Sequence, residues 1–345
     1  MIASSGQAPR LSICIATLNR AKYISDTLDS IEQQLTDEVE IVVLDGASSD
    51  GTEDLLRARV QTCKQLRYFR QSKNAGVDQD YSTAVNMCRG DYVWLMTDDD
   101  LLKPGAIHAV MGAARDCPSL IVVNAEVRNA DMSKILQARR LELDANKSFA
   151  ASDSDGLMRL AGSYLSYIGC VVMRRIDWAA REKTPYVGTL FVHVGVIFQE
   201  ALPRPALVIA EPFISIRYGN AMWRARDFEI WMFKWPNLIW SFPGPSNRAK
   251  AAVCKSEPWR NLNELLLLRA KGSYTTVEYR KWIEPQLKGS WRGSLAAAIA
   301  YIPGQLLNSA AVIYGHLARR GTHTGLLDLK ASRFYFRNWF PRNGG

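Results

Sequence analysis

Four short apolar runs, each followed by a polar turn and a helix-like pattern, most strongly constrain how this 345-residue chain folds. The runs are residues 11–16, 40–44, 66–69 and 92–96. Their length and their β-forming residues predict buried strands, and the segments between them have apolar residues at helical spacing. Strands that alternate with helices form a parallel sheet with helices on both faces. The sequence therefore predicts an α/β domain with a doubly wound, mostly parallel sheet.

Three consecutive carboxylates, Asp98, Asp99 and Asp100, follow the run 92–96. Because that run predicts a strand, the three side chains are expected at its carboxyl end. Carboxylate oxygens suit Mg²⁺ or Mn²⁺, and Mg²⁺ takes only one or two of them and completes its shell with water and substrate phosphates. The alternative is a solvated acidic turn before the next helix.

The polar loops after the other strands are expected at the same edge of the sheet. In open α/β sheets, ligands bind beyond the carboxyl ends of the strands, and loops that lead into helices bind phosphate. The predicted crevice therefore collects Thr17, Asp45, Asn74 and the three aspartates. This arrangement indicates a site for a nucleotide or another phosphate compound.

Six short motifs, in this order, resemble those of the inverting family-two glycosyltransferases of GT-A fold. They are residues 12–20, 28–33, 40–45, 48–52, 74–76 and 89–92, directly before the aspartates. The resemblance covers roughly residues 10–115. The apolar run before three aspartates is most similar to the branch with abequosyltransferase-like enzymes of bacterial surface polysaccharides.

The resemblance implies a metal-dependent enzyme with a nucleotide-diphosphate-sugar donor and Mg²⁺ or Mn²⁺ as cofactor. The implied donor contacts are Thr17, Asn19, Arg20, Asp45, Asn74 and, near the ribose, Asp98. Asp99 is the implied main metal ligand, and Asp100 is an additional or supporting carboxylate. The chain departs from the family at Gly46, where a second aspartate often contacts the base. The base of the donor therefore stays open.

The acceptor hydroxyl must lose a proton as it attacks the anomeric carbon, so a catalytic base is expected from another segment. Relatives have an aspartate near the apolar run 189–198, where this chain has His193 and no Asp or Glu between residues 182 and 200. We therefore predict His193 as the catalytic base. A hydrogen-bonded core histidine is the alternative interpretation. If His193 is a core residue, the other candidates for the catalytic base are Asp177, Glu200 and Asp227.

The C-terminal part of the chain differs in charge. From Ser215 onward it has 20 Lys and Arg against 7 Asp and Glu, whereas residues 1–214 have 23 against 27, and eight of the ten tryptophans follow residue 215. We predict a GT-A domain in residues 1–214 and a basic, Trp-rich, mainly helical region in residues 215–345, with a loose spacer at residues 242–247. That region either packs on the sheet or lies on an anionic inner-membrane surface, with aromatic rings among the headgroups.

Scattered cysteines and an N-terminus without an apolar signal segment predict a cytoplasmic protein, peripheral on the inner face of the cell membrane. The expected function is transfer of a sugar to a polyprenyl-diphosphate-linked glycan in bacterial surface-polysaccharide synthesis, as for O-antigen. The alternative is a nucleotide-sensing or nucleic-acid-binding protein, which needs a basic groove with exposed stacking aromatics. The three carboxylates disfavour that alternative, because they repel phosphates unless a metal is bound.

Overall fold

The computed structural model describes residues 8–220, 226–287, 289–317 and 323–336. Within them the chain divides into two compact units. Unit 1 contains the residues up to Arg217 and also Phe242–Val253, and unit 2 contains Tyr218–Ser241 and the residues from Cys254 onward. Several basic and aromatic residues of the predicted C-terminal region lie outside the described residues, among them Trp223, Arg319, Arg320 and Trp339.

A ten-stranded sheet forms the centre of unit 1. Its strands are β1 Leu11–Thr17, β2 Val39–Asp45, β3 Leu66–Arg70, β4 Tyr92–Met96, β5 Leu101–Leu102, β6 Leu120–Arg128, β7 Ile135–Gln137, β8 Lys147–Phe149, β9 Val171–Arg174 and β10 Ala206–Arg217. The order is β3-β2-β1-β4-β9-β6-β10-β5, with β7 paired to β6 and β8 to β10. Strands β3, β2, β1 and β4 are parallel, and β9 is antiparallel to both β4 and β6. The predicted α/β architecture is confirmed, and its sheet is mixed.

Helices cover the sheet in unit 1 and make up unit 2. Unit 1 has α1 Ile24–Glu32, α2 Thr52–Thr62, α3 Val77–Met87, α4 Ala106–Ala113, α5 Ser154–Ala161, α6 Arg175–Ala179, α7 Val192–Phe198 and, after a stretch of unit 2, α10 Asn247–Val253. Unit 2 has α8 Asp227–Glu229, α9 Trp235–Ser241, α11 Leu262–Lys271, α12 Thr276–Glu278, α13 Glu284–Leu287, α14 Trp291–Tyr301, α15 Gly304–Leu317 and α16 His323–Ala331. Two π-helical turns, Ile230–Lys234 and Tyr279–Ile283, continue α8 and α12.

The apolar segment 164–174, whose composition favours a strand, is a strand only at β9. Before it lie two 3₁₀ turns, Tyr164–Ser166 and Ile168–Cys170. A strand would point Tyr164 and Tyr167 to opposite faces, whereas a 3₁₀ turn brings residues three apart to one side. The two rings lie 6.0 Å apart, and each hydroxyl donates a hydrogen bond inside unit 1. Packing of both rings therefore outweighs the local preference for a strand.

The predicted loose spacer is instead packed in unit 1. Phe242 is 1% exposed, and its ring centroid lies 5.7 Å from that of Phe198 and 6.4 Å from that of Tyr186. Asp155 accepts hydrogen bonds from the backbone N and Oγ of Ser246, at 2.6 and 2.5 Å. The prediction of a flexible link at residues 242–247 is therefore wrong.

The tryptophans of unit 2 are mainly core residues. Trp235 and Trp259 are each 4% exposed, and Trp231 and Trp282 pack against the buried cluster that contains Trp259. Among the tryptophans that the structure describes in this unit, Trp291 alone is exposed, at 66%. The interleaving of tryptophan with basic residues thus reflects an aromatic core rather than a row of rings at a surface.

Across the described parts of the chain, no single helix has the length and apolar character needed to cross a membrane. α14 and α15 meet that test only as a pair, with a bend of 90° between them.

Candidate active site

The loops after β1 and β2 are bonded to each other at the carboxyl edge of the sheet. The backbone N of Asn19 donates to Ser48 Oγ at 2.8 Å, and its side-chain Oδ1 accepts from the backbone N of Ser49 at 2.8 Å. The backbone N of Arg20 donates to Thr52 Oγ1 at 2.9 Å. Asn19 has φ of 55°, in the left-handed region that asparagine tolerates. The two loops therefore form a single preorganised edge above the strands.

Thr17 and Asp45 support this edge from below. Asp45 is fully buried, and its oxygens accept from the backbone N of Ser48 at 2.8 Å and from the Tyr68 hydroxyl at 2.9 Å. Thr17 is 3% exposed, and its carbonyl accepts from the backbone N of Gly46 at 2.9 Å. Both residues hold the loops in place, and their direct contact with a nucleotide stays a prediction.

Asp80 on α3 fills the space beside Gly46. A Cβ at position 46 would lie 3.0 Å from Asp80 Oδ2, so an aspartate there would require Asp80 to move. Gln71 Nε2 donates to Asp80 Oδ1 at 2.7 Å, and burial raises the pKa of Asp80. The absent second aspartate is thus matched by a carboxyl group from another element. Sequence reasoning missed Asp80 because nothing in α3 itself marks it.

Asp98, Asp99 and Asp100 lie together at the end of β4, at 9, 9 and 2% exposure. Both carboxylate oxygens of Asp100 are bound internally. Oδ2 accepts from Thr97 Oγ1 at 2.6 Å and from the Tyr167 hydroxyl at 2.7 Å, and Oδ1 accepts from the backbone N of Arg217 at 2.6 Å. The geometry therefore favours a supporting role for Asp100 over the predicted role as a metal ligand.

The Arg20 guanidinium lies between the other two carboxylates. Its Nε is 3.2 Å from Asp98 Oδ1, and its Nη2 is 3.3 Å from Asp99 Oδ2. Burial, with the adjacent charge of Asp99, raises the pKa of Asp98 to about 7, and the same two causes raise the pKa of Asp100 to about 7. Arg20 supplies positive charge where two like charges would otherwise repel.

The Arg20 guanidinium bridges Asp98 and Asp99, so a cationic group already lies against both carboxylates. Within the described residues, no group of three or more His, Cys, Asp or Glu side chains converges on a metal position. Two carboxylates are nevertheless as many as Mg²⁺ commonly takes from a protein when substrate phosphates supply other ligands. The pair therefore fits a divalent ion that arrives with a diphosphate.

Arg217, the last residue of β10, was not identified from the sequence. It is 8% exposed, and its guanidinium donates to the Asp99 carbonyl at 2.9 Å, to the Ala130 carbonyl at 3.0 Å and to Asp26 Oδ2 at 2.9 Å. Its backbone N binds Asp100, from which it is 117 residues distant in the chain. No local motif could indicate this contact, which depends on the end of β10 pairing with β5, directly after the three aspartates.

Three cationic groups surround the Tyr23 ring at the same edge. The distances to the ring centroid are 5.7 Å for Arg20, 5.2 Å for Lys22 and 5.3 Å for Arg217. Such a group of positive charges attracts a diphosphate to the edge where the carboxylates lie.

Asn74 lies on the exposed loop before α3. Its Oδ1 accepts from the backbone N of Gly76 at 2.8 Å, where Gly76 has φ of 90°. Asn74 therefore shapes a turn here, and its contact with a donor stays a prediction.

The structure contradicts the prediction that His193 is the catalytic base. His193 is 1% exposed in α7, and its Nε2 is 2.7 Å from the Leu165 carbonyl, so Nε2 carries the hydrogen. Burial lowers the pKa of His193 to about 4. A neutral ring sealed inside the protein cannot reach a sugar hydroxyl, so the core interpretation holds.

The other candidates for the catalytic base, Asp177, Glu200 and Asp227, have different surroundings. Asp177 is 6% exposed and lies 3.5 Å from Arg174 Nη1, whereas the Glu200 side chain is 67% exposed. Asp227 belongs to unit 2. The start of α7 is held by Asp78, whose carboxylate accepts from three backbone N–H groups of residues 188–192 at 2.8 to 3.0 Å. This segment therefore has a structural carboxylate where a base was expected.

His193→Ala is expected to destabilise the fold by about 2–4 kcal/mol at pH 7, because it creates a cavity and removes a buried hydrogen bond. The unfolded histidine titrates near pH 6.5 and the folded one near 4. Between these values the unfolded state binds a proton that the folded state does not, so the wild type loses up to roughly 3 kcal/mol as the pH falls. The variant lacks this loss. Denaturant unfolding at several pH values should show the two proteins converging toward pH 4; an unchanged stability with a lowered kcat would instead restore the catalytic role.

Residues 12–177 match the sequence profile of the family described as glycosyl transferase family 2. Abequosyltransferase RfbV of Salmonella typhimurium is 26% identical over 270 residues, which are 72% of this chain and 81% of the relative. The GalNAc(5)-diNAcBac-PP-undecaprenol beta-1,3-glucosyltransferase of Campylobacter jejuni is 27% identical over 161 residues, which are 46% of this chain and 51% of the relative. The match thus spans about half of the second relative.

Solved structures show the same fold. S. aureus TarS 1–349 in complex with UDP has a TM-score of 0.56 at 12% identity, over 93% of this chain and 89% of that one. The mannosyltransferase PcManGT of Pyrobaculum calidifontis, in complex with GDP-Man and Mn²⁺, has a TM-score of 0.53 at 18% identity, over 94% and 86%. The predicted GT-A fold is confirmed.

Proposed function

We propose that this chain, which belongs to glycosyl transferase family 2 through residues 12–177, transfers a sugar with inversion from a nucleotide-diphosphate-sugar donor. The acceptor is a hydroxyl of a lipid-linked glycan in bacterial surface-polysaccharide synthesis. One observation carries the proposal. The Arg20 guanidinium lies within 3.3 Å of both Asp98 and Asp99, directly beside the joined loops of β1 and β2. The two carboxylates would bind the cation of a cation–diphosphate complex, and Arg20 would bind its phosphates.

The residues of this edge have different roles in donor binding. The joined loops fix the position of Arg20, and Lys22 adds a second cation beside it. Arg20 is placed to exchange its carboxylate partners for the phosphates of the donor. When bound, Mg²⁺ or Mn²⁺ held by Asp99 and Asp98 would neutralise charge on the departing nucleoside diphosphate. Arg217 and Asp100 keep the end of β4 in place during this exchange.

The names of the two relatives support the acceptor and the pathway class. One is an abequosyltransferase, and the other is named for a glycan on undecaprenol diphosphate. A lipid-linked acceptor lies in a membrane, which fits a protein at the inner face of the cell membrane. The nucleic-acid alternative is disfavoured because Asp98, Asp99 and Asp100 at this edge would repel the phosphates of an oligonucleotide unless a metal is bound.

A nucleotide screen tests the proposed donor site. Thermal unfolding is followed with UDP, GDP, CDP and dTDP, each with and without Mn²⁺, and with an oligonucleotide as the control. At 100 times its Kd, the matching nucleotide is expected to stabilise the protein by about 2.7 kcal/mol, and only with the metal. Stabilisation by the oligonucleotide alone would contradict the proposal.

A further inference from the structure

The outward surfaces of α14 and α15 in unit 2 are apolar. Six large hydrophobic side chains are exposed there: Trp291 66%, Leu295 43%, Tyr301 62%, Leu306 66%, Ile313 59% and Tyr314 67%. We call these six residues the α14–α15 face. Six large exposed apolar side chains on two consecutive helices indicate an interaction surface, whereas single exposed residues do not.

α15 is apolar on both its inward and its outward side, since Val312 is buried and Leu307 and Ala311 pack against the same cluster. Leu306, Ile313 and Tyr314 are spaced to share its outward side, and Gly304–Leu317 contains no Asp, Glu, Lys or Arg. On its inward side Asn308 is fully buried, and its Nδ2 donates to the carbonyls of Ala270 at 3.1 Å and Leu329 at 2.9 Å. A helix that has no charged side chain and exposes large hydrophobic ones is suited to an apolar environment.

Basic side chains border the face. Arg280, Lys281 and Arg292 are exposed. Arg280 Nη2 donates to the Tyr301 hydroxyl at 3.3 Å, and the Arg292 guanidinium lies 5.3 Å from the Trp291 ring centroid.

Residues 278–292 contain two acidic residues, Glu278 and Glu284. Glu278 accepts from the backbone N and Oγ1 of Thr275, whereas Glu284 is exposed. The border is therefore basic on balance.

We propose that the α14–α15 face inserts into the headgroup region of an anionic phospholipid bilayer. Trp291, Tyr301 and Tyr314 have the ring type that prefers this depth, and the basic border complements anionic lipids. A symmetric dimer through the same face would bring each basic border close to its own copy, which is unfavourable. The inference deepens the proposed function, since a lipid-linked acceptor lies in such a bilayer. Only the purpose of membrane binding rests on the proposed function.

The test is co-sedimentation of the full chain with phosphatidylcholine vesicles, with and without phosphatidylglycerol. The wild type is expected to bind the anionic vesicles, and added salt is expected to weaken this binding only in part, because apolar burial is not screened. Ile313→Ser is expected to lower partitioning about tenfold, and Leu306→Ser/Ile313→Ser/Tyr314→Ser about 100-fold or more. Ile176→Ser, at 65% exposure in unit 1, is the matched control and should bind as the wild type does.

The basic border is tested separately with Arg280→Gln/Lys281→Gln/Arg292→Gln. This variant is expected to bind at low salt as weakly as the wild type does at high salt. Vesicle binding that the triple serine variant retains in full would overturn the proposal. So would a lipid-free dimer that this variant converts to a monomer without loss of vesicle binding. Metal-dependent stabilisation by nucleotide is measured on every variant, so a failed donor site is distinguished from a failed docking face.

Discussion

Asp99→Ala is expected to lower sugar transfer by about 10³-fold or more and to abolish Mn²⁺-dependent nucleotide binding, because it removes one of the two carboxylates that hold Arg20. The fold should persist. The side chain lies at the end of β4, and the lost attraction to Arg20 is offset by the removal of its repulsion with Asp98, so stability is expected to change by about 1 kcal/mol or less.

Calorimetric titration with nucleotide and Mn²⁺ provides the readout for Asp99→Ala, together with a product assay. Asp54→Asn is the control, since it removes one exposed carboxylate from the first turn of α2. If Asp99→Ala turned over a metal-dependent donor at nearly the wild-type rate, the metal assignment would be wrong.

Arg217→Ala is expected to destabilise unit 1 by about 2–3 kcal/mol, because it removes a buried side chain and leaves the carbonyl of buried Asp99 without its donor. The ion pair with Asp26 adds little, since the Asp26 side chain is 56% exposed. At roughly 2–4 °C per kcal/mol, the Tm should fall by about 5–10 °C. Donor affinity should fall as well, because the end of β4 loses its support.

Two further variants separate the causes of this loss. Arg217→Lys keeps the charge but cannot reach three acceptors at once, so it should fall between the wild type and the alanine variant. Arg57→Ala removes an arginine whose side chain is 64% exposed and pairs with Glu53 on the same helix, and it should cost about 0.5 kcal/mol or less. An Arg217→Ala protein as stable as the Arg57→Ala protein would argue against the buried clamp.

Features with a local pattern could be read from the sequence. β1, β2 and β4 are short, fully or almost fully buried runs, and their ends put Thr17, Asp45 and Asp98 at one edge because parallel strands share a direction. Arg217 and Asp80 could not be found in this way. Each reaches the site from an element that is distant in the chain, and neither belongs to a motif.

His193 and the C-terminal tryptophans show that local composition does not reveal which way a side chain points. His193 lies in the expected segment, but α7 turns it toward the Leu165 carbonyl in the core. The tryptophans after residue 215 have the composition of an interfacial helix, yet Trp235 and Trp259 fill a core. The exposed apolar surface is formed mostly by leucine, isoleucine and tyrosine on α14 and α15.

The return of Phe242–Val253 to unit 1 has a consequence for how the protein is made. A chain leaving the ribosome folds its N-terminal unit first, once that unit is complete. Here Phe242, which is 1% exposed against Tyr186 and Phe198, emerges only after Tyr218–Ser241 of the other unit. Unit 1 therefore cannot complete its core until this late segment emerges. Until then, the aromatic residues of Tyr218–Ser241 remain unfolded. A nascent chain halted before residue 253 would expose both hydrophobic interiors at once, and chaperone demand should peak at that length.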